Sequence, residues 1–251
     1  MAKQCAICGV QMNVFQSQKL LDGNFICSKT CQKRGLKSVD YTKINLEQVK
    51  AHFDQVELGA KLWEQFFVPR LKPADPTQKL KRFKPLYIAE DIGLIAFKEN
   101  RYKYIFWGKT EHFCVYRIDD LRGYEIQTST KMKVSGKGTS SKTEFFLFFY
   151  FSNVNGMKAF RCKFSRNKCY SIIKYFDSLF GLKSEKKSVW NESKKAATAM
   201  KEAIKGNLVN PYQFENEAAY TEYLKAQGQY KEGNRTSWTE RADAALKAFK
   251  G

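Results

Sequence analysis

Cys5-Ala6-Ile7-Cys8-Gly9, followed after eighteen intervening residues by Cys27-Ser28-Lys29-Thr30-Cys31, is the stretch whose reading decides how this 251-residue chain begins. Two close cysteine pairs separated by a hairpin-sized segment suit the tetrahedral, soft-ligand preference of zinc. Gly9, after the second cysteine, suits a positive φ that lets backbone N–H groups turn toward thiolate sulfur. Between the pairs, short apolar stretches at Leu20-Leu21 and Phe25-Ile26 flank Asp22-Gly23, a hairpin turn signal. Ser28 to Gly35 reads as a short helix, capped by Ser28, stopped by Gly35 and carrying the last ligand. Knuckle, hairpin and helix make a treble-clef-like module over residues 1–43, with Cys5, Cys8, Cys27 and Cys31 holding one structural zinc ion. All four positions are filled by protein, which leaves no open position for water or substrate and argues against a catalytic metal. A redox C-x-x-C is the alternative, and the second pair argues against it.

Working outward, residues 44–84 read as a connector helix and linker. Leu46, Val49, Phe53, Val56, Ala60, Trp63 and Phe67 recur at spacings of three and four, an a/d seam ended by Pro69 and Pro73. The seam is expected to pack within the chain, because Phe and Trp are bulky for a two-stranded coiled coil; a dimer through helix 46–67 is the alternative. His52 falls off the seam and reads as a solvated helix residue.

Residues 85–182 change to short β-rich runs. Strands are predicted at 86–89, 92–97, 102–107, 112–116, 121–127, 144–152 and 157–164. Turn chemistry lies between them at Lys98–Arg101, Gly108–Thr110 and Asn153–Gly156. Thr128–Thr143 reads as a long mobile loop at a hairpin tip. Asn167 to Leu182 then places Cys169, Ile172, Ile173, Phe176, Leu179 and Phe180 on one helical face. Phe145–Phe151, the longest apolar run, is too short to span a bilayer and reads as a strand buried on both faces. Seven antiparallel strands and one amphipathic helix are the element order of a pleckstrin-homology-like barrel closed by its C-terminal helix.

The residues Cys5-Ala6-Ile7-Cys8-Gly9, Gly23-Asn24-Phe25-Ile26-Cys27 with Cys31, and Ile118-Asp119-Asp120-Leu121-Arg122-Gly123-Tyr124-Glu125-Ile126 carry a resemblance over about residues 1–182. The chain resembles bacterial and phage proteins of unknown function that join an N-terminal four-cysteine, treble-clef-like zinc module to a bacterial pleckstrin-homology-like domain. The resemblance implies a fold and brings no assigned activity. The expected class is thus α+β: a zinc head, a barrel with its closing helix, and a helical tail. That tail, residues 183–251, is alanine-rich, with helices expected at 190–208, 211–227 and from the Ser237-Trp238-Thr239-Glu240 capping box to Phe249.

Charge and composition bound the function. Lysine and arginine number 44 against 25 acidic residues, a net +19 spread over every segment. Such a field attracts nucleic acid, anionic lipid or an acidic protein without choosing among them. Lys29, Lys33, Arg34 and Lys37 form one basic face on the cysteine module. Lys131, Lys133, Lys137 and Lys142 line the 128–143 loop and suit a phosphate backbone, though without interleaved aromatics that stack bases. Lys98, Arg101 and Lys103 sit where related barrels hold lipid head groups. There are seven cysteines and no apolar signal segment after Met1, so the thiols read as reduced and the compartment as cytoplasmic. Cys114, Cys162 and Cys169 read as small core residues.

Enzyme signatures are scarce. His52 and His112 lie in no metal or nucleophile motif, no phosphate-binding glycine loop is present, and Asp119, Asp120 and Glu125 do not match a two-metal site. The expected function is a non-enzymatic adaptor binding a protein partner. A nucleic-acid-binding protein is the first alternative and a membrane-surface binder the second.

Overall fold

The computed structural model describes residues 3–37, 39–73, 75, 77–78, 80–104, 107–135, 138–182, 214–232 and 236–250. The helix expected at 190–208 lies outside them. The chain is a mixed α+β protein that divides into two compact units: residues 1–120 with 153–158 and 236–251, and residues 121–152 with 159–235.

The first unit begins with two small ladders. Strand β1 (Lys3–Gln4) pairs with β2 (Gln11–Met12), and β3 (Ser17–Lys19) pairs with β4 (Phe25–Cys27), both antiparallel. The predicted turn is present: Gly23 has φ 82°, and Leu20 N–H donates to the Asn24 carbonyl at 2.8 Å. Met12, Leu20, Ile26 and Leu36 are buried beneath these ladders. The helix expected from Ser28 is only a 3-10 turn, Cys31–Arg34, preceded by Thr30 without a side-chain cap. Gly35 leaves it in extended backbone rather than the left-handed region. With so few residues before Gly35 the turn tightens to i→i+3 bonding.

Helix α1 (Leu46–Leu62) starts at a full capping box, Asn45 with Gln48. It does not stop at Pro69. A π-helical turn, Trp63–Phe67, widens the helix, and α2 (Val68–Leu71) takes Pro69 into its first turn. Proline lacks only a donor that a first turn leaves unused, so it is tolerated there. The buried face is Val49, His52, Phe53, Val56, Gly59, Leu62, Trp63, Phe66 and Phe67, which corrects the solvated reading of His52. That face packs within the unit: Trp63 stacks on Phe113 at 4.7 Å and meets Tyr87 edge-on at 4.9 Å.

Its partner is a four-stranded antiparallel sheet in the order β5 (Leu80–Arg82), β6 (Leu86–Ala89), β7 (Leu94–Tyr104), β8 (Trp107–Arg117). The described residues of the separate strand expected at 102–107 belong instead to the end of β7 and the start of β8. Lys98–Arg101 and Gly108–Thr110 are strand rather than turn, with Lys98 opposite Phe113 and Arg101 opposite Thr110. Lys98 sits within ion-pair distance of Glu111, 2.6 Å, and over the Trp63 ring, so it is occupied inside the protein. Packing against this sheet also involves Ala242, Leu246 and Phe249 of the last helix.

The second unit is a three-stranded sheet in the order β11 (Ala159–Phe164), β10 (Gly138–Phe151), β9 (Leu121–Ser135), followed by α3 (Arg166–Leu179). The strands thus pair as separate sheets, and no closed barrel is found among the described residues. The long loop expected at 128–143 is instead a paired ribbon, with register running from Phe151↔Leu121 out to Gly138↔Ser135. Because β11 pairs only as far as Phe145, the outer part of β9 and β10 stands as a two-stranded ribbon.

From Leu147 to Phe151, strand β10 is buried on both faces, as its apolar run predicts. Leu147, Phe149 and Phe151 face one way, and Phe149 meets Phe176 of α3 edge-on at 5.8 Å. On the other face Phe148 and Tyr150 pack with Tyr220 and Leu224 of α4 (Glu217–Ala226). Asn216 caps α4 through Ala219 N–H, and Gly228, φ 64°, follows it. Helix α5 (Thr236–Lys250) ends the described chain.

Candidate metal centre

The site is assembled by the two small ladders. Pairing of β1 with β2 closes the first knuckle: Cys5 N–H donates to the Val10 carbonyl at 2.9 Å and Gly9 N–H returns to the Cys5 carbonyl at 2.9 Å. Gly9 adopts φ 71°, the left-handed conformation that a side chain would strain. Strand β4 ends on Cys27, held opposite Ser17, and the 3-10 turn begins on Cys31. Local turn chemistry thus fixes all four ligands.

The four Sγ atoms lie within 4.8 Å of one another. Cys5 and Cys31 are 3.7 Å apart and Cys8 and Cys27 3.8 Å. A tetrahedron of metal–sulfur bonds about 2.3 Å long puts sulfurs roughly 3.8 Å apart, so the donor set fits a single four-coordinate ion. None of the cysteines forms a disulfide. Cys5, Cys27 and Cys31 are buried and Cys8 is exposed, so the site is closed on three sides.

Backbone N–H groups are aimed at sulfur: Cys27 N–H reaches Cys5 Sγ at 3.3 Å, and Cys31 N–H reaches Cys27 Sγ at 3.2 Å. Burial alone raises the Cys5 thiol, but N–H groups of Cys8, Ile7 and Cys27 outweigh it and hold it at about 6. Cys31 is pushed up, first by burial and then by the sulfurs of Cys27, Cys8 and Cys5. Four sulfurs gathered this closely repel one another as thiolates. A bound dication removes that repulsion, which is why such clusters are metal sites.

A second layer supports the ligands from α1. His52, 1 % exposed, accepts the Leu36 N–H through Nε2 at 3.1 Å. Its Nδ1 faces Gln55 Oε1, which also accepts the Met157 N–H at 2.8 Å. Gly35 is required beside this contact, since a Cβ there would run into the Tyr41 hydroxyl and the His52 ring.

The basic candidates are placed as follows. Lys29, Lys33 and Lys37 are exposed on the module, while Arg34 is engaged by Glu57 at 2.5 Å and lies over the Phe53 ring. Lys131 and Lys142 stand directly opposite each other on the outer ribbon, both exposed. The backbone register puts Lys133 opposite Ser140, and Lys137 lies outside the described residues. The module and the ribbon belong to different compact units. Cys114, Cys162 and Cys169 are buried core residues as expected.

Two features escaped the sequence. One is His52, whose partner is sixteen residues away and invisible to helical periodicity. The other is the surface of the module itself. Of the six large apolar side chains exposed among the described residues, Val10, Val14, Phe15 and Leu21 lie on it. Val14-Phe15 breaks the period-2 alternation of the flanking strands, which was the available signal. No helix among the described residues is long and apolar enough to cross a membrane. Comparison with protein-family models, with curated proteins and with solved structures finds no match for this chain.

Proposed function

We propose that this chain is a zinc-stabilised, non-enzymatic adaptor that acts by binding another protein. The carrying observation is the concentration of exposed apolar side chains on a small module whose four sulfurs form a closed, tetrahedrally spaced donor set. Zinc is the metal proposed, because four thiolates at this spacing suit it best and leave no open coordination position. Its role is then to hold shape rather than to perform chemistry. The histidines support a non-catalytic reading: His52 is spent on the Leu36 backbone, and His112 is buried. A four-stranded and a three-stranded antiparallel sheet followed by α3 also supports the element order of a pleckstrin-homology-like domain, as in the bacterial and phage proteins the chain resembles. A cytoplasmic site follows from the reduced thiols that such a metal centre needs.

One observation favours a second reading. Lys131 and Lys142 stand opposite each other across the outer ribbon, and Glu144, 3.6 Å from Lys131, supplies part of the opposite charge. An anionic ligand such as a nucleic-acid backbone adds to that screening. The two readings separate in a pull-down from bacterial lysate, divided between samples with and without nuclease. A discrete protein that survives nuclease supports the adaptor. Nucleic acid alone, lost with nuclease or moderate salt, replaces it with the ribbon reading.

A further inference from the structure

Phe15 is 96 % exposed and its neighbour Val14 68 % exposed. An isolated exposed apolar residue needs no explanation, but a fully projecting phenylalanine contributes nothing to folding and costs solubility. These two side chains form the crest of a 3-10 turn, Val14–Gln16. The turn is firmly tied. Gln16 N–H donates to the Asn13 carbonyl at 3.1 Å, and the Ser17 hydroxyl donates to the Val14 carbonyl at 3.0 Å.

Its anchorage runs to the metal ligands on both sides. Cys5 N–H holds the Val10 carbonyl, and Ser28 N–H, next to Cys27, holds the Gln16 carbonyl at 2.9 Å. The segment from Val10 to Ser17 is therefore stretched between two ligand-bearing loops. An ion that fixes Cys5 and Cys27 also fixes Phe15 in projection, and a pre-organised anchor binds without an ordering cost.

We propose that the Val14-Phe15 crest is the anchor by which the metal-held module docks into an apolar pocket on an acidic partner protein. This deepens the adaptor reading and rests on it. The surroundings favour a protein over the other possible occupants. Gln11, Asn13, Gln16, Ser17 and Gln18 flank the crest in sequence, and no lysine, arginine, aspartate or glutamate occurs between Lys3 and Lys19. An aromatic anchor in a neutral, hydrogen-bonding rim is the anatomy of a protein interface hot spot. Side chains that enter a membrane surface are instead flanked by lysine and arginine at head-group level.

Charge then selects the partner. Elsewhere on the module, Lys19, Lys29, Lys33 and Lys37 are exposed, and the sole carboxylate between Lys3 and Lys37 is Asp22. Asp22 is occupied by the Leu46 N–H at 2.9 Å and by Asn24. A second copy of the module would bring like fields together, whereas an acidic surface is steered toward it.

The test is selection of a displayed peptide library on the zinc-loaded full chain, followed by anisotropy titration of the enriched peptides against Phe15→Ser and Phe15→Leu. Peptides that carry an apolar side chain among acidic ones are expected. Affinity should fall by at least about tenfold in Phe15→Ser and be largely kept in Phe15→Leu, with zinc content unchanged in both. Equal binding by Phe15→Ser, or no enrichment of acidic peptides, overturns the proposal. So does Phe15-dependent binding to phosphatidylglycerol vesicles, or self-association by sedimentation that Phe15→Ser abolishes. The lysate pull-down separates the two levels of the argument. If Phe15→Ser retains the same nuclease-resistant protein, the adaptor stands and the crest falls; if wild type retains none, both fall.

Discussion

His52 on α1 accepts the backbone N–H of Leu36 through Nε2 at 3.1 Å, which ties the long helix to the loop leaving the last cysteine ligand. Both groups are buried, so neither has water as a substitute partner. Replacing His52 by Ala leaves the Leu36 N–H unpaired and opens a cavity. The expected loss is about 2–3 kcal/mol, read as a lower urea midpoint of the zinc-loaded chain. A variant within error of wild type would show that the bond is idle.

Gly59 lies in the middle of α1, where glycine ordinarily costs a helix about 1 kcal/mol relative to alanine. It is there because β8 comes close: a Cβ would strike the Phe113 carbonyl oxygen. The obstacle is backbone, so it cannot rotate away. Gly59→Ala should therefore lower stability by roughly 1–2 kcal/mol despite the propensity gain, visible as a reduced Tm. A raised Tm would mean that α1 does not approach β8 as described.

Tyr220, buried between α4 and β10, has a hydroxyl with no hydrogen-bond partner among the described residues. Burying an unpaired hydroxyl costs about 1–3 kcal/mol, and phenylalanine keeps the ring packing on Phe214. Tyr220→Phe is expected to leave the urea midpoint unchanged or raise it. A marked fall would reveal a partner, such as a bridging water, that the hydroxyl serves.

Alkaline pH should destabilise the fold. Burial, and then Glu125, which accepts the Tyr150 hydroxyl at 2.8 Å, pushes Tyr150 up. Burial likewise raises Tyr220 above its ordinary 10.0 and Cys114 above its ordinary 9.0. These groups stay protonated in the folded chain while the unfolded chain releases their protons. Their contribution is intact below about pH 9 and declines as pH rises past the unfolded values. Half-buried tyrosines such as Tyr170 and Tyr175 ionise first, so the last part of the tyrosinate absorbance should rise together with the loss of circular dichroism in one cooperative transition. All 13 tyrosines ionised while the chain is still folded would contradict the burial of Tyr150 and Tyr220.

Spacing-borne features were legible in the sequence. The four cysteines declare their pairing by separation alone, Asp22-Gly23 marks a turn that backbone sterics enforce, and the Val49–Phe67 stripe has a helical period. What failed was inference from polarity. Lys98–Arg101 read as a turn because it is charged, yet the segment is strand, and the Lys98 charge is met by Glu111 and the Trp63 ring. Lys131 and Lys142 made 128–143 look like a loop for the same reason. His52 read as solvated because its partner, Leu36, is set by tertiary packing. The aromatic run of β10 announced burial on both faces, but nothing local said that α4, some seventy residues later, supplies one of the covers.

The central claim is that Cys5, Cys8, Cys27 and Cys31 hold one zinc ion that shapes the module. X-ray absorption at the zinc edge, with metal content measured on the same sample, tests it most directly. The account predicts one zinc per chain, bound by four sulfurs at about 2.3 Å, and loss of that zinc in Cys27→Ser. A shell with nitrogen or oxygen ligands, or a full equivalent retained by Cys27→Ser, would contradict it.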